Sequence, residues 1–109
     1  MIVILKVHIR SKKKDYDAKG LYDFDNNVLV VLAGSKVSAK VAHSEKFHGA
    51  TLVEKYRNEY VENCVVIKDV TFSSPSTAAN FILGRSCNGL ITWKDEDGNT
   101  LRTHFGLAE

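Results

Sequence analysis

The sequence predicts an α+β fold, and three observations carry that reading. Its apolar residues fall in short runs of two kinds, alternating over Ile2–Ile9 and spaced by one, three and four over Ala50–Tyr60. The strand-like runs do not alternate regularly with helix-like ones, which argues against a wound parallel sheet. The chain has 109 residues, 44% of them hydrophobic, with seven glycines and one proline. That is material for one core and little linker. The expectation is one compact domain over residues 1–109, a mostly antiparallel sheet with two helices, in the order β-β-β-α-β-α-β-β.

Taken in order, Val3, Leu5, Val7 and Ile9 share one face of the first strand, with Lys6 and His8 opposite. Ser11-Lys12-Lys13-Lys14-Asp15 has no apolar anchor and reads as an exposed loop or arm. A short strand near Leu21–Phe24 leads through Asp25-Asn26-Asn27 into the β-branched run Val28–Leu32, which together make a hairpin. That run is expected to be buried on both faces. Leu52, Val53, Tyr56 and Tyr60 form one helical stripe, and Glu54, Lys55, Arg57 and Asn58 read as its solvated side. Cys64–Ile67 reads as another strand.

The best-marked element start is Ser74-Pro75. Ser74 is placed to cap a helix, Pro75 suits its first position because it lacks an N–H, and Gly84 suits the left-handed residue closing it. Asn88-Gly89 then reads as a turn and Leu90–Lys94 as a strand carrying a core Trp93. Asp95–Asn99 reads as a hairpin loop into a last strand, Thr100–His104.

The net charge of +2 divides unevenly. Residues 1–50 hold nine Lys/Arg against five Asp/Glu, and residues 51–109 hold six against eight. The basic half favours polyanions, though at a density that implies modest, salt-sensitive binding. Disorder, collagen and a disulfide framework are excluded by composition. Cys64 and Cys87 stand far apart, no signal peptide is recognised, and no apolar run approaches a membrane span. A cytoplasmic protein with free thiols, away from membranes, is expected.

Phe72-Ser73-Ser74-Pro75-Ser76-Thr77-Ala78-Ala79, Leu83-Gly84-Arg85-Ser86-Cys87-Asn88-Gly89, Trp93-Lys94 and Gly98-Asn99-Thr100-Leu101 together resemble an uncharacterised prokaryotic domain family. That family is found at the C-terminus of GIY-YIG-type nucleases and in other restriction or phage-associated proteins. Upstream, Gly34-Ser35-Lys36-Val37-Ser38 resembles its Gly-Ser-Lys-x-Ser segment, so the likeness spans about residues 18–104. A looser likeness runs to the restriction enzyme and adenine methylase associated domain. No GIY or YIG tripeptide occurs in this chain. The resemblance implies a DNA-associated setting, with a nuclease or methyltransferase as a companion.

Physically, the hydroxyls and first-turn N–H groups around Ser74 and Ser76 suit a phosphate oxygen, and they equally suit a plain capped helix. Arg85 suits a phosphate or a guanine edge, and Asn88 an adenine edge, with Ser86 between them. The other reading of that loop is a helix closure with Arg85 paired to a carboxylate. Lys36 lacks the spacing of a nucleotide-binding loop. Lys12, Lys13 and Lys14 suit nonspecific phosphate contact or simply a solvated loop. His43 and His48 give no zinc spacing, Asp95-Glu96-Asp97 is ordinary hairpin-tip chemistry, and nothing ties Cys87 to a histidine. No catalytic residue, metal or cofactor is therefore expected. The function expected is a non-catalytic, weakly DNA-binding accessory module in a prokaryotic restriction, modification or mobile-element context. The alternative is a protein–protein adaptor without nucleic-acid contact.

Overall fold

The first strand read from the sequence forms one edge of a four-stranded antiparallel sheet. Its order is β1 (Ile4–Arg10), β2 (Asp17–Asp23), β3 (Val28–Val31) and β6 (Val70–Phe72). The computed structural model describes residues 4–10, 16–39 and 50–107. Register lines up the apolar positions in rows: Leu5–Tyr22–Leu29–Phe72, Val7–Gly20–Val31–Val70 and Ile9–Ala18. Except for half-buried Leu5, all of these are buried, so period-two patterning has placed one whole face in the core. Asp23 fixes the β2–β3 turn by accepting from the N–H groups of Asp25 and Asn26, at 3.0 and 3.3 Å.

Helix α2 (Pro75–Leu83) covers that face with Ala78, Ala79, Phe81 and Ile82, all fully buried. Its ends are as the sequence predicts. Ser74 Oγ accepts from Thr77 N at 3.2 Å, Pro75 opens the first turn, and Gly84 closes the helix at φ +70°. Helix α1 (Ala50–Tyr60) also matches its predicted bounds and buries Val53, while Tyr56 packs against Phe72 and Phe81. A small hairpin, β4 (Val61–Glu62) with β5 (Val65–Val66), follows it.

Arg57 departs from its expected solvated role. Its guanidinium donates to the carbonyls of Phe81 (2.9 and 3.0 Å), Ile82 (3.2 Å) and Ser38 (2.8 Å), and to Ser38 Oγ (3.1 Å). A fixed cation thus satisfies the carbonyls at the C-terminal end of α2, where the helix dipole favours it. Arg57→Met keeps the stem and removes five hydrogen bonds, so it should cost about 2 kcal/mol. A melting curve unchanged from that of the parent protein would show that solvent replaces the guanidinium without loss.

The last two predicted strands are instead short helices. Asn88 Oδ1 accepts from Leu90 N (3.0 Å) and Asn88 O accepts from Thr92 Oγ1 (2.7 Å), winding α3 (Gly89–Thr92). Side-chain capping there outweighs the strand preference of Leu90-Ile91-Thr92. Likewise Thr100 Oγ1 accepts from Thr103 N at 3.3 Å at the start of α4 (Leu101–Leu107). Of the predicted hairpin only the bridge Lys94↔Thr100 survives. Among the described residues four helices therefore stand where two were expected. In Val28–Leu32 only Leu29 and Val31 are buried, because no described element covers the outer face of the sheet.

Candidate nucleic-acid interface

Most of the motif residues face one another. Ser76 Oγ accepts from Gly89 N at 3.0 Å, and Pro75 O accepts from the buried Trp93 Nε1 at 3.0 Å. A Cβ on Gly89 would stand 2.2–2.4 Å from the Pro75–Ser76 backbone, so α3 seats on α2 through a contact only glycine permits. Asn80 Oδ1 accepts from Cys87 N (3.0 Å) and from its Sγ (3.2 Å), shaping the Arg85–Asn88 loop. The Ser-Pro-Ser, Asn-Gly and Trp signatures thus form a single internal clasp. Ser74, Ser76 and Asn88 spend side-chain acceptors on backbone N–H groups of the clasp, while Arg85, Ser86 and Asn88 are all exposed. Arg85 has no carboxylate ion pair among the described residues.

The Gly34–Ser38 segment is built in as firmly. Ser35 is buried, its Oγ accepting from Lys19 N at 3.0 Å, and Lys36 exchanges two backbone bonds with Asp17, at 2.7 and 3.0 Å. Ser38 Oγ donates to Leu83 O at 2.8 Å. The exposed Lys36 is thereby fixed at the end of the sheet, in a segment tied through Ser38 to the C-terminal end of α2 just before Arg85. Lys12, Lys13 and Lys14, and also His43 and His48, lie outside the described residues.

A second cationic surface emerges from strand register. Lys6, His8 and Arg10 alternate with the buried Val7 and Ile9, so they project from the outer face of β1. His8 pairs with Lys19 on β2 and, on its other side, with Lys94. Lys19 O in turn accepts from Leu32 N at 2.9 Å. The resulting row, Lys94–His8–Lys19–Leu32, crosses the uncovered face, with Lys6 and Leu21 paired beside it. Arg10 leans on Asp17 at 3.7 Å, an exposed pair of little energetic weight. Partial burial, then the Arg10 charge, lowers the His8 pKa from its usual value, with Lys94 adding to this and Asp17 and Asp95 opposing it. A neutral His8 thus sits among permanent cations at pH 7. Lys6 and His8 were legible as a polar strand face; Lys19 and Lys94 join them only through register.

The remaining reactive groups are tied down. Burial pushes the Cys87 thiol up to about 11, against the lowering effects of Arg85 and Thr92, which holds it protonated and poorly nucleophilic at neutral pH. His104 Nε2 meets Asp95 Oδ2 at 2.6 Å, and that bond, with the N–H groups of Asn99 and Asp97, lowers the Asp95 pKa. This pair joins α4 to the Asp95–Asn99 turn. Among the described residues no group of three or more His, Cys, Asp or Glu is arranged to hold a metal ion, and no helix is long and apolar enough to cross a membrane.

No curated protein and no solved structure matches the chain. A family described as a domain of unknown function, DUF4357, matches residues 8–104. The match begins inside β1, earlier than the resemblance near residue 18 implied, and so takes in the strand that carries His8 and Arg10. With all of the sheet but the start of β1 inside its bounds, and the whole clasp as well, the chain belongs to the DUF4357 family.

Proposed function

We propose that this domain is a non-catalytic accessory module that holds DNA weakly, through phosphate contacts, in a prokaryotic restriction, modification or mobile-element setting. The observation that carries the reading is the gathering of Lys6, Arg10, Lys19 and Lys94 around His8 on a sheet face that no described element covers. Oriented cations on a rigid sheet engage phosphates without reading sequence, which suits weak, salt-dependent attachment. The resemblance of the motifs to domains that accompany GIY-YIG-type nucleases supports the setting, with a nuclease or methyltransferase as companion and the cytoplasm as location. Exposed Arg85 and Ser86, and Lys36 at the sheet's end, are further phosphate contacts, and Lys12–Lys14 would extend the field from the segment after Arg10. Ser74, Ser76 and Asn88 contribute mainly by holding the Arg85 loop in place.

The test is an amide-resolved titration with DNA, duplex and single-stranded, at low and moderate salt. Shifts should concentrate at residues 6–10, 17–21 and 94, with a smaller set at 84–88, and fade as salt rises. No shifted amide in any of these segments at low salt would overturn the reading. The second reading is a protein–protein adaptor, favoured by the internal use of Ser74, Ser76 and Asn88, which makes the motif architectural. On that reading Arg85→Ala leaves any DNA affinity unchanged.

A further inference from the structure

Three shallow concavities lie along the outer face of the sheet, and each shares walls with the next. The first, about 280 Å³, is bounded by His8, Arg10, Tyr16, Ile91, Thr92 and Lys94. The second, about 330 Å³, shares His8 and Arg10 with it and adds Lys6, Lys19, Leu21 and Leu32. The third, about 340 Å³, shares Lys19 and Leu32 and ends at Gly34–Ser35. The shared residues join them into one trough following the row Lys94–His8–Lys19–Leu32 across the strands.

The lining alternates in character. Successive strands stand ~4.8 Å apart, so Lys94 and Lys19 place cations two strand steps apart on either side of the neutral His8. Between and beside them lie Tyr16, Leu21, Leu32 and the exposed Ile91, a set of apolar surfaces beside the cations. A duplex stacks its base faces inward and presents phosphates, sugars and base edges, leaving those apolar walls without a base face to pack on. A single strand offers phosphates and bases together, and this pairing of a basic groove with apolar or aromatic platforms is how such strands are held. Asp17 and Glu96 border the same trough, which keeps the attraction moderate and its contacts local.

We propose that the trough along Lys94–His8–Lys19–Leu32 is a binding site for one strand of single-stranded nucleic acid, a deepening that rests on the DNA-associated reading above. Phosphates lie against Lys94, Lys19 and Lys6, and bases lie against Tyr16, Ile91 and the aliphatic wall of Leu21 and Leu32.

The experiment is fluorescence anisotropy at low salt with three labelled probes: a twelve-nucleotide DNA strand, the RNA of the same sequence, and the DNA duplex. At least one single strand should bind roughly tenfold more tightly than the duplex. Lys19→Glu and Lys94→Glu should each weaken that binding several-fold while the melting temperature stays near the parent's. The DNA and RNA arms identify which sugar backbone the trough accepts. Duplex binding equal to or tighter than both single strands overturns the single-strand assignment and leaves the broader DNA reading standing. Single-strand binding untouched by either charge reversal overturns the trough as its location. Absence of binding by all three probes overturns both readings together.

Discussion

Gly89→Ala is expected to lose the α2–α3 junction altogether. The added Cβ would lie 2.2 Å from Pro75 C, 2.3 Å from Ser76 N and 2.4 Å from Pro75 O, all of them backbone atoms of a helix's first turn. A flexible side chain could swing aside, but a helix start held by Ser74 and packed by Ala78 and Ala79 has no such freedom. To admit the methyl, α3 must lift off α2, which breaks the Gly89 N to Ser76 Oγ bond and draws Trp93 Nε1 away from Pro75 O. Overpacking by a single carbon usually costs about 1–3 kcal/mol, and rigid backbone on both sides puts this case at the top of that range or above. For a domain near this size each kcal/mol shifts the melting temperature by about 4–8 °C. A loss of roughly 15 °C or more in thermal melting is expected, and a loss under about 4 °C would mean that α3 finds another seat. Ser76→Ala, which removes only one acceptor, should cost about 1 kcal/mol.

The clasp explains what sequence alone could and could not disclose. Patterning set by local chemistry was readable: the alternation over Ile4–Ile9 of β1, the bounds of α1 and, above all, the Ser74–Pro75 start and Gly84 stop of α2 recur in the structure, although Leu52 of the α1 stripe is exposed and Arg57 of its solvated side is half-buried. Leu90-Ile91-Thr92 misled because its strand preference is real, yet it is outweighed by an Asn88 cap and by the need to set Gly89 against Pro75. The site was harder still. Ser74, Ser76 and Asn88 are hydrogen-bonding side chains, as in an anion site, but Ser74 and Asn88 cap their own helices through Thr77 N and Leu90 N, and Ser76 reaches Gly89 N thirteen positions away, which turns the motif inward. Lys19 carried no sequence signal of its own, and Lys94 was legible as part of the Trp93-Lys94 motif without its place beside His8. Only the antiparallel register with His8, set by a loop and by a bridge from residue 94, makes them neighbours.

Trp93→Ala is expected to be the most destabilising single change outside the glycine contact, because one side chain closes both halves of the molecule. The indole is fully buried, its ring edge reaches the floor of the sheet over Gly20, and its N–H satisfies Pro75 O. In the row Val7–Gly20–Val31–Val70 Gly20 alone lacks a side chain, and a Cβ there would press on Leu29 Cδ2 and Val30 O at 3.0 Å and touch Trp93 Cζ3 at 3.4 Å. Truncation to alanine leaves a large void over that floor, a change that costs about 3–5 kcal/mol, and it strips a carbonyl at the clasp of its donor. Against a net stability of roughly 5–15 kcal/mol, that leaves a marginal domain. Trp93→Phe fills most of the space without the N–H and should lose less than half as much in chemical denaturation. The two variants also separate architecture from binding. Lys94 is paired to His8 only because Trp93 anchors the chain beside it, so Trp93→Phe should retain nucleic-acid affinity. The alanine variant, wherever it remains folded, should bind like Lys94→Glu. Equal stability of the alanine and phenylalanine variants would show that the ring's volume contributes nothing beyond its first carbons, and would remove Trp93 as the piece that joins the clasp to the sheet.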